Sequence, residues 1–272
     1  DADFSRADFH QSVLDGAQFQ RAIFQETTLS QASLIQTNLE KARLSGADLT
    51  EAILERATLK KSDLTGANLS RSICQRASFQ EATLVTVRLE GADLRGCDLS
   101  STRARGALAR QAILSETNLD HSSWCDAKMP LANLSQSSGR EIDFRGVDFT
   151  KAILQDSSFT ESRFEECILN QSKFNASILN ESVFDDCKGH ETQFRDCTAK
   201  HARFRGAELP GANFRDATFE DVDFEGSNLE GADFRGANLT GVNFRGANLL
   251  GADLRKAQLQ QCRLPKLQVF KK

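Results

Sequence analysis

The sequence predicts an all-β solenoid, built by stacking short extended segments coil on coil. Three observations predict it. First, a five-residue register runs unbroken from Phe4 to Val269: of its 54 central positions 45 are Leu or Phe, and 18 of the 19 Phe residues fall there. Second, 15 of the 17 Gly lie two residues after a centre, and all three Pro (Pro130, Pro210, Pro265) lie one after it. Third, side-chain volume is traded between positions twenty apart: Ala104 is followed by Trp124, and Ala109 by Met129. A fixed short period of this kind marks a solenoid rather than a layered globular domain.

Each position of the repeat follows from backbone geometry. Two residues before a centre stands a small residue: Ala2, Ala7, Ser12, Ala17, Ala22. In extended chain, positions separated by one residue point the same way, so the small residue and the centre both face inward. The residue between them, such as Asp3, Asp8, Gln18 or Asn38, faces solvent. The remaining two residues must turn the chain. Pro in the first place fixes φ near the value a turn needs, and Gly in the second accepts positive φ without a steric penalty.

The repeat Ala-Asp/Asn-Leu/Phe-X-Gly, clearest in Gly231-Ala232-Asp233-Phe234-Arg235-Gly236-Ala237-Asn238-Leu239, resembles the pentapeptide-repeat family over residues 2 to 264. The resemblance implies a right-handed quadrilateral parallel β-helix with four repeats per coil, hence about 13 coils from the 54 centres. At a strand spacing of roughly 4.8 Å such a rod is about 65 Å long. Residues 1–266 are read as one β-helix and 267–272 as a C-terminal tail. Phe144, Phe164, Phe184, Phe204, Phe224 and Phe244 then stack in one column. Because Asp1-Ala2-Asp3-Phe4 already lies inside a repeat, the natural chain is expected to start upstream.

The centres weaken over residues 100–142, which include Ala104, Ala109, Trp124, Met129 and Gly139; Cys74, Gly189 and Ala199 are isolated lapses. A seam with a bend or bulge, or a short helical excursion over Ser101–Arg110, would account for this. The unbroken register favours a continuous coil with thin spots, each costing about 2–5 kcal/mol if left unfilled.

Composition excludes several functions. The formal net charge of -4 is too mild for nucleic-acid binding. No apolar stretch approaches the length of a membrane span. Five of the seven Cys (Cys97, Cys167, Cys187, Cys197, Cys262) occupy the small inward position, which reads as buried free thiols in a reducing compartment. A cytoplasmic location is expected, with secretion through a dedicated machine as the alternative. Cys187, His190, Cys197 and His201 mimic zinc spacing, but the Cys pair is half a coil apart and faces opposite walls, so no metal is expected. Cys167 and Cys187 should stack as thiols, their parallel geometry being poor for a disulfide. The scattered His10, His121, His190 and His201 form no catalytic group, and no cofactor motif is present, so the chain reads as a non-enzyme.

Two surface features remain. Val13, Ile53, Ile73, Ile113 and Ile153 share one outward face, where apolar residues suit either β-structure or a docking stripe for a protein partner. Arg195, Arg215, Arg235 and Arg255 form a ladder along one edge, with Asp196, Asp216, Asp233 and Asp253 nearby to neutralise it. The expected function is a rigid protein-interaction scaffold, a domain of a larger bacterial and secretion-associated protein. The resemblance implies one alternative, a DNA-mimicking inhibitor or protector of DNA gyrase. Such members are strongly acidic and dimerise through a C-terminal element. Here the charge is mild, Arg residues are interleaved, and the ending Leu264-Pro265-Lys266-Leu267-Gln268-Val269-Phe270-Lys271-Lys272 is too short for a dimerising helix. End-to-end self-association through exposed coil edges is the third expectation.

Overall fold

The computed structural model describes residues 2–265; Asp1 and the expected tail over 267–272 lie outside the described residues. Parallel bridges join each residue before a centre to the residue twenty positions on, from Asp3 with Ile23 to Asn243 with Arg263. One coil therefore takes four repeats and has four sides. Their outward residues run Asp3 to Arg263 on the first side, Asp8 to Asn248 on the second, Val13 to Asp253 on the third and Gln18 to Gln258 on the fourth. Among the described residues, only β1 (Ser138–Arg140) and β2 (Ser158–Thr160) exceed a single bridge, and they pair in parallel with Ser138 against Ser158. Three extended residues between turns leave room for little more.

The hydrogen bonds of one repeat explain its composition. In Ala47-Asp48-Leu49-Thr50-Glu51, the Ala47 N–H closes the turn to the Leu44 carbonyl at 3.0 Å. Asp48 donates down to Thr27 at 2.9 Å, while Leu49 and Glu51 donate up to Asn68 and Ser70 at 2.7 and 3.0 Å. The Thr50 N–H has no place in the ladder, and the Asp48 carboxylate accepts it at 3.0 Å. Asp or Asn before the centre thus satisfies the one backbone donor that stacking leaves over. At some repeats where that residue is different, an Asp or Asn of the coil below supplies the acceptor: Ile35, Arg195 and Arg205 donate to Asp15, Asn175 and Asp185 at 3.0, 3.0 and 2.9 Å. The outward residues are accordingly mostly half-buried rather than freely solvated.

Every second turn residue from Arg6 to Gln261 has positive φ, and 37 of them are not Gly. Stacking holds these ordinary side chains in a conformation that costs about 1–2 kcal/mol for an L residue. Gly is demanded more strictly where a neighbour leans in. At Gly206 and Gly146, a Cβ would lie 2.5 and 2.8 Å from the Asp186 and Asp126 carboxylates of the coil below.

Inside, the Phe column of the first side is present: Phe164–Phe184 and Phe184–Phe204 stack at 4.5 and 4.6 Å with almost parallel rings. A second stack, Phe174, Phe194, Phe214 and Phe234, rises from the opposite wall. The two meet edge to face, as Phe174 and Phe184 do at 5.8 Å. Both geometries are favourable for aromatic quadrupoles.

The weak segment neither bends into a helix nor bulges. Its bridges continue as Arg103–Ser123, Leu108–Lys128, Ile113–Asn133 and Asn118–Ser138. Compensation fills the thin spots. Trp124 sits fully buried one coil above Ala104, its indole N–H on the Ser122 hydroxyl at 3.1 Å. Gly139 leaves its space to Ile142, whose Cδ1 lies 2.5 Å from where a Cβ would be. Leu169, Leu209 and Thr192 crowd Gly189 in the same way.

Candidate functional site

The inward small position does more than save space. Cys187 donates its thiol to the Phe164 carbonyl at 2.7 Å, Cys197 to Phe174 at 2.6 Å and Cys167 to Phe144 at 3.0 Å. Thr27, Ser157 and Ser182 do the same with hydroxyls, to Phe4, Leu134 and Phe159. These short polar side chains tie their coil to the one below, whereas Ser62, Thr102, Ser122, Ser172 and Ser227 bond the carbonyl of their own turn. All seven Cys are free thiols. Burial pushes Cys74 and Cys197 up to about 12, so these thiols stay protonated at neutral pH. Cys187 and Cys197 bond to carbonyls on opposite walls, while His190 and His201 lie outside against Glu191 and Asp221 at 3.8 Å each. The zinc-like spacing in the sequence brings no common centre together.

The two surface features lie on one flank. Val13, Ile53, Ile73, Ile113 and Ile153 are all outward residues of the third side. Val13 is 76% exposed, whereas the four Ile are half-buried. Only Ile53 and Ile73 are direct neighbours, because Ser33, Asp93 and Asn133 interrupt the column. The stripe is therefore a set of apolar steps rather than a continuous greasy face.

Leu131, which the outward-position pattern overlooks, widens it. It is 39% exposed and occupies a second turn position at φ 63°, where every other residue is polar, Gly or Ala. That exception is visible in the sequence once turn positions are examined by themselves. Leu131 and Ile153 floor an open groove of about 570 Å³, bordered by Lys151, Lys173, Glu191 and Gln193.

Arg195, Arg215, Arg235 and Arg255 continue along the corner that bounds the third side in the later coils. Each has a carboxylate partner. Arg235 and Arg255 grip Asp233 and Asp253 at 2.6 Å, and Arg195 and Arg215 approach Asp196 and Asp216 at 3.1 and 3.3 Å. The Arg255 guanidinium and N–H, bonding directly to the carboxylate, hold Asp253 at about 2. So the flank changes character along the rod, from apolar steps to charge-neutral Arg/Asp pairs.

Models of two families match the chain. One described as pentapeptide repeats (8 copies) matches residues 2–40, 32–71, 72–108, 127–165 and 227–264, and one described as a pentapeptide repeat region matches 157–234. A comparison with curated protein sequences finds no match. Among solved structures, the chain is similar to HetL, a pentapeptide repeat protein involved in heterocyst differentiation regulation in Nostoc sp. strain PCC 7120, at 24% identity, TM-score 0.32, over 95% of this chain and 90% of that one. It is also similar to QnrB1, a plasmid-mediated fluoroquinolone resistance protein, at 18% identity and TM-score 0.28, over 66% and 79%. A pentapeptide repeat protein of the Arabidopsis thaliana thylakoid lumen matches at 29% identity and TM-score 0.18, over 42% and 66%.

Proposed function

The chain belongs to the pentapeptide-repeat family, and from that premise we propose that it is a rigid, non-enzymatic scaffold whose third side docks a protein partner. The same reading takes the coil as right-handed with about 13 turns, from 54 centres at four per turn, and places the chain in a reducing compartment of a bacterium. It includes the secretion-associated setting expected from the resemblance.

One observation carries it. Val13, the four Ile, Leu131 and the groove of about 570 Å³ gather on one flank, whereas the other exposed large apolar residues, Leu108, Ile178, Leu250, Leu259 and Leu264, are dispersed over other sides and corners. Apolar steps between polar residues are what a partner can cover with a gain in free energy, at about 25 cal/mol per Å² buried. Changing Ile53, Ile73 and Ile113 together to Asp leaves the inward columns untouched. A pull-down should retain a partner with the parent chain and lose it with the triple variant, while circular dichroism reports the same fold. A partner held equally by both sinks the docking assignment.

The duplex-mimic alternative, with DNA gyrase as partner, requires an uncompensated acidic surface. Here Asp143, Glu165, Asp223, Asp233 and Asp253 are each gripped by an Arg at 2.6 to 2.8 Å. The scaffold reading predicts no effect in a gyrase supercoiling assay across a salt series.

A further inference from the structure

The fourth side differs from the other three. Its outward column carries one charge, Asp98, in 13 residues, against nine in 14 on the first side, seven in 13 on the second and four in 13 on the third. It also holds β1 and β2, the only stretches among the described residues where the ladder exceeds a single bridge. A ladder of almost uncharged, mostly half-buried side chains costs less to desolvate than the charged columns of the other sides.

The order of its residues points to an occupant. Counted outward from Ser138, the column is nearly palindromic. Six coils away on either side stand Gln18 and Gln258; five coils away, Asn38 and Asn238. Thr58 matches Thr218, and Ser78 matches Thr198. A second copy laid antiparallel on this side, related by a two-fold axis through Ser138, would set like amides and like hydroxyls against each other. Amides and hydroxyls both donate and accept, so such self-pairs can be satisfied.

The corners that flank the side fit the same axis. Four coils from the centre, Arg56 would meet Asp216; three coils away, Arg76 would meet Asp196, each carboxylate then shared with its own Arg215 or Arg195 at 3.3 and 3.1 Å. On the other corner Lys60 would meet Glu220, which Lys200 of its own chain also holds at 2.9 Å. Two-fold symmetry makes each of these pairs twice. The match is imperfect: Asp98 would face Ile178, and Glu116 would face Asp156. Arg140, which would approach its own copy at the axis, is already neutralised by Glu161 at 2.8 Å and Glu141 at 3.6 Å.

We infer that the fourth side is a self-association surface, on which two copies of the chain pack antiparallel about Ser138. The area is sufficient. A column of 13 residues at roughly 4.8 Å and a side about three residues wide give roughly 600 Å² per copy, about 1,200 Å² in all, at the lower end for specific interfaces. Its column is distinct from that of the docking flank, with the corner of Asp196 and Asp216 shared between them, and it does not rest on the docking assignment.

Sedimentation velocity of the 272-residue chain, from low to high micromolar concentration, tests it. A concentration-dependent dimer is expected. Ser138→Arg, which sets two guanidinium groups together on the axis, should weaken it at least about tenfold, or 1.4 kcal/mol. Thr58→Arg, off the axis, serves if Ser138→Arg does not fold, and Thr28→Arg on the second side should change nothing. Arg76→Glu should weaken the dimer and Arg76→Glu with Asp196→Arg should restore it. Asp98→Asn should tighten it. A chain that stays monomeric, a charge swap that fails to restore association, or a dimer indifferent to both Arg variants but broken by Phe9→Glu in the first coil, overturns the proposal.

Discussion

Ser177 satisfies two backbone groups at once. Its hydroxyl donates to the Leu154 carbonyl at 2.7 Å and accepts from the Ser157 N–H at 3.3 Å, where the usual turn bond between those groups is absent. Ser62 has a hydroxyl in the equivalent place, but its own N–H closes the turn to Leu59 at 3.1 Å without help. Ser177→Ala should therefore cost about 1–3 kcal/mol by stranding two buried groups, and Ser62→Ala well under about 1 kcal/mol. Urea melts of the two variants check this, and equal losses would refute the turn-repair role. The size of the inward residue is legible in the sequence, and so is its burial. Its hydrogen bond to the coil below is not, because the partner is a backbone carbonyl 23 residues away and backbone groups leave no residue-type signal.

A coil is held together partly by carboxylates that accept backbone and guanidinium donors on its sides. Burial works to raise the Asp143 carboxyl, but bonds from the Arg145 guanidinium, the Cys125 thiol and the Arg145 N–H outweigh it and hold the group at about 2. Asp253 is likewise held at about 2 by Arg255, and Asp93 and Asp63 are lowered by bonds from Arg95 and Thr65 that outweigh their burial. A carboxyl depressed in the folded state adds stability that is complete above its ordinary value of 3.8 and disappears as pH falls toward about 2. Thermal melts should thus show a plateau near neutrality and a decline between those two values. Asp143→Asn keeps an acceptor for the Arg145 N–H but cannot titrate. It should flatten part of the acid decline, and an unchanged acid slope would remove Asp143 from the account. At this scale the sequence is legible in pattern and silent in mechanism. The Asp/Asn preference is plain in it, but reads as solvation until the leftover N–H of each repeat is counted. The thin segment misleads for a related reason: centres such as Gly139 look like defects when each column is read alone, and Ile142, which fills the space, belongs to a different column.

At the scale of the molecule, stacking twenty residues per coil makes position modulo twenty equivalent to direction around the rod. Whether residues share a side was legible for Val13, Ile53, Ile73, Ile113 and Ile153. How exposed they are, and the contribution of Leu131, depends on neighbouring columns. The equivalence allows the docking flank to be tested by deletion. Removing residues 87–91 takes out one repeat and turns everything after it by one side, so Ile113 and Ile153 leave the face that holds Ile53 and Ile73. Each inward centre still falls on a wall, so a folded coil is expected, with some loss from rematched columns. Removing residues 77–96 takes out one whole coil and keeps direction intact. It also deletes Asp93, which separates Ile73 from Ile113, and so sets Ile53, Ile73 and Ile113 in direct succession. The one-repeat deletion should lose at least about tenfold in affinity for whatever protein the third side binds, equivalent to 1.4 kcal/mol. The one-coil deletion, though it removes four times as much chain, should bind as well as the parent or better. If both deletions fold and bind alike, the apolar steps do not act together as one surface, and recognition rests on a feature confined to a single coil.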